Sequence, residues 1–441
     1  MAYCKKDLVE APVHAEQMTV GDQQAHDDVF GEISDDGPNF RNVGFVGTII
    51  LMVKTQIGLG VLAIPSALDV LGMVPGIVCL FVMAFITTWS GYIIGKFKLN
   101  HREVYSIDDA GGIMFGLPGR VYVATGFCLY YIFNSGSAIL SLSIGMNAVS
   151  SHATCTAVFA AVAAIFGFAF SSIRTLARIT WLAWIALPCI LTAVIIVTIA
   201  VGLQGRPKAA PVTSGPWESD WKVVGNPTFA EGIAAVSNLL FAFSGTPGFF
   251  SIVSEMENPQ QYPVAMATCQ AIVTAVYAII GGVIYYYCGS YISSPALGSA
   301  GGVIKIISYG FALPGLLGTM TIVTHIPAKF IFVHLLRGSR HLSSNSPTHW
   351  MVWFGCTFGV TVIAWIIAST IPVFDALVSL IGALLGPVMC IQPMGAMWLY
   401  DNWGNGKGQK KTKSWIVGTV WSVSLIVLGI SSWELGHMAR F

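Results

Sequence analysis

The stretch Lys54-Thr55-Gln56-Ile57-Gly58-Leu59-Gly60-Val61-Leu62-Ala63-Ile64-Pro65 combines a cation, two neutral polar side chains, a glycine pair and a proline. Its chemistry is that of binding rather than bond-making. Glycines at 58 and 60 leave backbone amides open to a ligand and allow unwound backbone, so a half-helix starting there could hold a carboxylate at the positive end of its dipole. Thr55, Gln56, Ile57 and Leu59 complete that wall. A second stretch, Phe241-Ala242-Phe243-Ser244-Gly245-Thr246-Pro247-Gly248, offers the opposite pole, carbonyls near Phe243 and Ser244 that could hold an ammonium. The two together match the common core of an α-amino acid, with Tyr130, Tyr131, Asn134 and Ser135 on neighbouring turns as candidates to close the side of the pocket. His325 and Lys329, spaced i and i+4 on one helical face, form with Lys54 a candidate proton-coupling element. The plainer readings stay open: kinks in packed helices for the breaks, a carbonyl bond for His325, and a side chain snorkelling to the surface for Lys329.

The elements that must carry these groups are membrane spans. Of the 441 residues 55% are hydrophobic and 10% charged, with mean hydropathy +0.71; a soluble domain carries about 25% charged residues. Apolar runs long enough to cross a bilayer fall at about 43–69, 73–95, 120–147, 154–173, 178–203, 229–254, 265–291, 312–336, 350–370, 373–400 and 415–436, eleven in all. Both glycine-rich stretches lie inside such runs, the first and the sixth. In lipid a helix comes apart at mid-depth only where protein, water or ligand takes over its backbone hydrogen bonds, and paired interruptions in corresponding halves predict a secondary transporter. Lys and Arg set the orientation: with residue 1 in the cytoplasm, fifteen fall in inner segments and five in outer ones, with Lys54 and Lys329 inside the membrane.

Residues 1–40 hold nine acidic residues and two lysines, Lys5 and Lys6. They read as a disordered cytoplasmic tail without a signal-peptide pattern, and as a possible handle for trafficking or ubiquitination machinery. The net charge of +1 asks for no nucleic acid. Nine scattered cysteines give neither a disulfide framework nor a metal-ligand spacing, although Cys155 and Cys288 both fall near the outer face. Glu231, Glu255 and Asp375 lie near predicted helix ends and are expected in polar surroundings. Trp181 and Trp184 read as packing residues or interfacial anchors. No metalloprotease motif or intramembrane aspartate pair suggests an enzyme, and no resident cofactor or metal is expected.

The motifs TQIGLGVLAIP (55–65), NLLFAFSGTPGFFSIVSEMENP (238–259) and THIPAKFIFVHLLRGSR (324–340) resemble the amino acid/auxin permease family, in particular fungal neutral amino acid permeases of the N system type. The resemblance runs from about residue 40 onward. It implies an all-α polytopic fold of the LeuT type, with two inverted five-helix repeats at about 43–203 and 229–400, an extra helix at about 415–436, and helices 1 and 6 broken around the substrate. It further implies secondary active amino acid uptake by alternating access, with Thr55 to Gly60 and Phe243 to Thr246 contacting substrate. In sodium-coupled relatives helix 8 supplies hydroxyl ligands opposite helix 1. Here Thr321 to Lys329 brings His325 and Lys329 into that neighbourhood, which favours a co-transported proton over sodium, while Thr321 and Thr324 keep sodium possible. The expected substrates are neutral aliphatic and aromatic amino acids, and the expected membrane is the plasma membrane, with vacuolar export or non-transporting sensing as alternatives.

Overall fold

The computed structural model describes residues 43–151, 153–174, 176–207, 209–211, 217–339, 341–342, 345–403 and 418–424, together with a two-residue strand pair, His26–Asp27 against Gly31–Glu32. Apart from that pair, the acidic leader lies outside the described residues. Of the expected eleventh span only 418–424 is described, as helix.

The remainder is helical. The helices are α1 (Phe45–Gln56), α2 (Gly60–Leu71), α3 (Met73–Asn100), α4 (Ile107–Val149), α5 (Thr156–Ser171), α6 (Leu176–Leu203), α7 (Phe229–Ala242), α8 (Phe249–Ser254), α9 (Tyr262–Cys288), α10 (Gly302–Leu336), α11 (Pro347–Thr370), α12 (Phe374–Leu380), α13 (Gly386–Cys390) and α14 (Gln392–Trp403). Among the described residues eight stretches are long and apolar enough to span a bilayer; α1 and α2, meeting at a 45° bend, make a ninth. The 16-residue α5 occupies the expected fourth span. Ten of the eleven expected spans are therefore present as helix, and of the eleventh only the short helical piece 418–424 falls among the described residues.

Three boundaries differ from the sequence reading. The third span begins earlier, at Ile107, and turns at Gly116, whose φ of 67° takes it out of the helix just ahead of Pro118. The tenth is in pieces: a π-helical turn at Ile381–Leu385 joins α12 to α13, and Ile391 separates α13 from α14. The eighth starts at Gly302, ten residues before the apolar run that announced it.

Large apolar side chains outside the bundle, including Ile165, Trp181 and Trp184, face where lipid would lie; the two tryptophans are therefore not packing residues. Inside, α10 packs along α4 and α6, and α2 along α7. The two interrupted helices are thus held at the centre, with α9, α10 and the second half of α4 around them. Cys155 is exposed and Cys288 buried, and both are free thiols.

Candidate functional site

The first break is held open by a lysine. Helix α1 ends where Ile57 turns to extended backbone (φ −76°, ψ 92°), and α2 starts after Leu59, which caps it with no side-chain hydrogen bond. The first amides of α2 therefore have no side-chain cap, as a carboxylate seat requires. Lys54, fully buried, turns its ammonium onto the break, donating to Ile57 O at 3.1 Å and to Thr319 Oγ1 of α10 at 2.5 Å. Thr319 passes its own proton to Gly315 O at 3.2 Å, so its oxygen is free to accept. Gly58 is needed for this contact. A Cβ there would overlap Thr319 Oγ1 and sit 3.0 Å from Thr319 Cγ2. The glycine expected to admit a ligand thus also admits α10.

The second break closes against the first. Helix α7 gives way after Ala242 to Phe243, Ser244 and Gly245, then a 3-10 turn at Thr246–Gly248 leads into α8. A Cβ on Gly245 would lie 2.7 Å from Thr55 Oγ1 and 2.9 Å from Gln56 Cγ, so the glycine leaves room for the side chains of the last two residues of α1 to pack against the second break. The ammonium seat expected at Phe243 and Ser244 is narrower than the sequence suggested. Ser244 O accepts from the Tyr130 hydroxyl and Ala242 O from the Tyr277 hydroxyl, the latter at 2.9 Å. Two polar atoms at the breaks, Gln56 Oε1 and Thr246 Oγ1, are buried without a hydrogen-bond partner. Each such group costs about 1–3 kcal/mol in a dry interior, a cost that a polar ligand between the breaks would remove. Tyr131 sets its hydroxyl against the Gly248 backbone, while Asn134 spends its amide on Tyr130 O at 3.0 Å.

The three ionisable candidates do not form one cluster. Lys54 is at the break. His325 lies on another side of α10, its Nδ1 3.4 Å from Ser171 O at the end of α5 and its ring edge-on to Trp353 of α11, 5.3 Å between centroids. Lys329 does not snorkel: it is buried and donates to Glu255 Oε1 at 2.5 Å. Glu255, expected in polar surroundings, is itself 1% exposed; it follows the end of α8 and its carboxylate meets Lys329 of α10. The strand entering α1 joins there, with Val43 N donating to Glu255 O and Glu257 N to Val43 O, both at 3.1 Å. Of the other acidic residues expected near helix ends, Glu231 forms a capping box with Thr228 at the start of α7.

Sequence reasoning located the helix-8 hydroxyl about half a turn to one and a half turns too late. The hydroxyl opposite helix 1 is that of Thr319; Thr321 donates to Leu317 O and Thr324 to Ser135 Oγ. It also missed Tyr277. The signal was there: a tyrosine well inside a span, away from the interfacial belts where tyrosines concentrate. Among the described residues no group of three or more His, Cys, Asp and Glu could hold a metal ion.

Two helices unwound side by side at the centre of a helical bundle, with polar atoms left open between them, form the arrangement in which secondary transporters of the broken-helix type hold their substrates. Solved structures similar to this chain share the architecture. A crystal structure of MhsT in complex with L-phenylalanine superposes with a TM-score of 0.59 at 13% identity, covering 90% of this chain and 98% of that one. A sodium-coupled sialic acid symporter in a substrate-bound, outward-open state gives 0.58 at 12%, covering 90% and 92%. The fold is therefore the LeuT type, with the first and sixth spans broken. The model of the family described as transmembrane amino acid transporter protein matches residues 41–435, and the chain belongs to that family. It is 36% identical over 403 residues to a transmembrane transporter of Gibberella moniliformis, covering 90% of this chain and 83% of that one. It is 33% identical over 347 residues to the N amino acid transport system protein of Neurospora crassa, covering 78% and 73%. The protein is a multi-pass membrane transporter of an amino acid transporter family.

Proposed function

We propose that the chain carries neutral aliphatic and aromatic amino acids together with protons, by alternating access, across the plasma membrane. The observation that carries the coupling is Lys54: a buried ammonium on two neutral oxygens, Ile57 O of the break and Thr319 Oγ1 of α10, where an inorganic cation would otherwise join the same two helices. Gaining or losing a proton there changes the charge beside the uncapped start of α2 and the link between α1 and α10. Substrate carboxylate binding and protonation are thereby coupled through one side chain. Neutral substrates are supported by the lining, since Thr55, Gln56, Ile57, Gly58, Leu59, Gly60, Phe243, Ser244, Gly245, Thr246, Tyr131 and Asn134 carry no charge. The name of the Neurospora relative, an N amino acid transport system protein, agrees with amino acid uptake.

The test is uptake of radiolabelled leucine and phenylalanine into liposomes holding the purified full-length protein, first with an imposed proton gradient and then with an imposed sodium gradient. Accumulation driven by protons alone is expected. Accumulation only with sodium would overturn the coupling, binding without accumulation under either gradient would favour a sensor, and a fluorescent fusion confined to the vacuolar membrane would replace uptake by export.

A further inference from the structure

Lys54 fills one gap beside the breaks, between a carbonyl and a hydroxyl, and a second gap is filled by Tyr277. This tyrosine lies midway along α9 and is fully buried. Its hydroxyl is 2.8 Å from Gln56 O and 2.9 Å from Ala242 O. Gln56 is the last residue of α1 and Ala242 the last of α7, so each carbonyl belongs to the negative end of a half-helix dipole. Two such carbonyls aimed at one point in a dry interior make a seat for a positive group. In transporters with broken helices, half-helix ends of this kind coordinate the co-transported cation. Here the seat is taken by a neutral O–H whose single proton is shared between the two oxygens. The gap is closed around it: the ring packs edge-to-face on Phe243, 5.1 Å between centroids, and a Cβ on Gly60 would come within 2.7 Å of the hydroxyl.

We infer that Tyr277 determines ion specificity: its hydroxyl occupies a cation seat between the two breaks and ties them together, so that substrate binding needs neither sodium nor lithium. The inference rests on the reading of the breaks as the amino acid site. Tyr277 acts as a positioning residue, holding the carboxylate-facing and ammonium-facing backbones at fixed separation without adding charge.

The experiment measures substrate binding, not transport, as ligand-induced thermal stabilisation of the purified full-length protein in sodium chloride, lithium chloride and N-methyl-D-glucamine chloride. The probe is the tightest binder among the twenty proteinogenic amino acids. The unsubstituted protein is expected to bind equally in all three salts. Tyr277→Phe keeps the ring in the gap but strands two buried carbonyls, and should weaken binding about tenfold in every salt. Tyr277→Asn vacates the seat and supplies an amide oxygen, so its binding should become at least about tenfold tighter in sodium or lithium than in N-methyl-D-glucamine. A tyrosine with a merely structural role would lower the unfolding temperature without any dependence on the cation. Sodium-dependent binding by the unsubstituted protein, salt-independent binding by folded Tyr277→Asn, or no amino acid binding at all would overturn the inference. Should Tyr277→Asn not fold, Tyr277→Phe decides alone, and binding within about twofold of the unsubstituted protein overturns it. Failure of proton-driven accumulation in liposomes, with cation-independent binding intact, would remove the proton-symport proposal and leave this one standing.

Discussion

Of the three lysines buried among the described residues, Lys98 bonds backbone carbonyls at the end of α3, and the other two, Lys54 and Lys329, do opposite things. Lys54 meets only neutral hydrogen-bond partners, a carbonyl of its own broken helix and a threonine hydroxyl of α10. Lys329, on the same α10, meets a carboxylate that has travelled from the exit of the other broken helix. Burial and residue type are alike, so the partner makes the difference. An ion pair compensates both desolvated charges and reads as a fastening between α8 and α10; breaking such a pair is costly because the remaining charge is left alone. An ammonium on neutral oxygens lacks that compensation, and an ionisable group in this setting is a candidate for function. The lesson is that an intramembrane lysine carries no role by position alone.

Removing Lys329 should have the largest effect. Lys329→Met leaves the Glu255 carboxylate buried and unpaired, a loss of about 3–5 kcal/mol seen as a lowered unfolding temperature and poor surface expression. Adding Glu255→Gln should recover most of it, and if it does not, the pair is not what the contact suggests. Next comes Gly58→Val, which drives a branched side chain into Thr319 and should cost about 1–3 kcal/mol of stability while abolishing uptake; normal uptake kinetics would detach α1 from the site. Lys54→Gln should fold, keep amino acid exchange across the liposome membrane, and lose at least about tenfold in gradient-driven accumulation. Equal loss of exchange and accumulation would make Lys54 a fastening like Lys329 and erase the contrast. The smallest effect is expected for His325→Gln, whose contacts are a long bond to Ser171 O and the Trp353 ring. Accumulation should change by less than about threefold, in line with the loss of one modest hydrogen bond. A collapse of coupling in His325→Gln, with Lys54→Gln unaffected, would move the proton path to the α5–α11 side.

The legibility of the site in the sequence followed the same division. Breaks at Gln56–Gly60 and Phe243–Gly245 could be read because glycine and proline interrupt an apolar run, which is a local property. That they lie against each other was suggested by their spacing and shown by Gly245 packing on Thr55 and Gln56. Partners were another matter. Helical periodicity put His325 and Lys329 on one face, yet one ring turns to α5 and α11 and the other side chain reaches α8. Neighbouring helices decide where a long side chain ends, and Thr319 and Tyr277 could be assigned their roles only once α10 and α9 were in place beside the breaks.

By itself the sequence determined that the chain crosses the membrane many times, where two of its helices come apart, and which backbone poles those breaks present. Hydrophobic length, glycine and proline are sufficient for that, because the bilayer forbids unsatisfied backbone and so makes each interruption conspicuous. Only the tertiary structure decided what fills the breaks. The contacts of Lys54 to Thr319, of Tyr277 to Gln56 and Ala242, and of Lys329 to Glu255 join residues far apart in the chain. Packing brings those residues within hydrogen-bond distance, and no local pattern in the sequence records it.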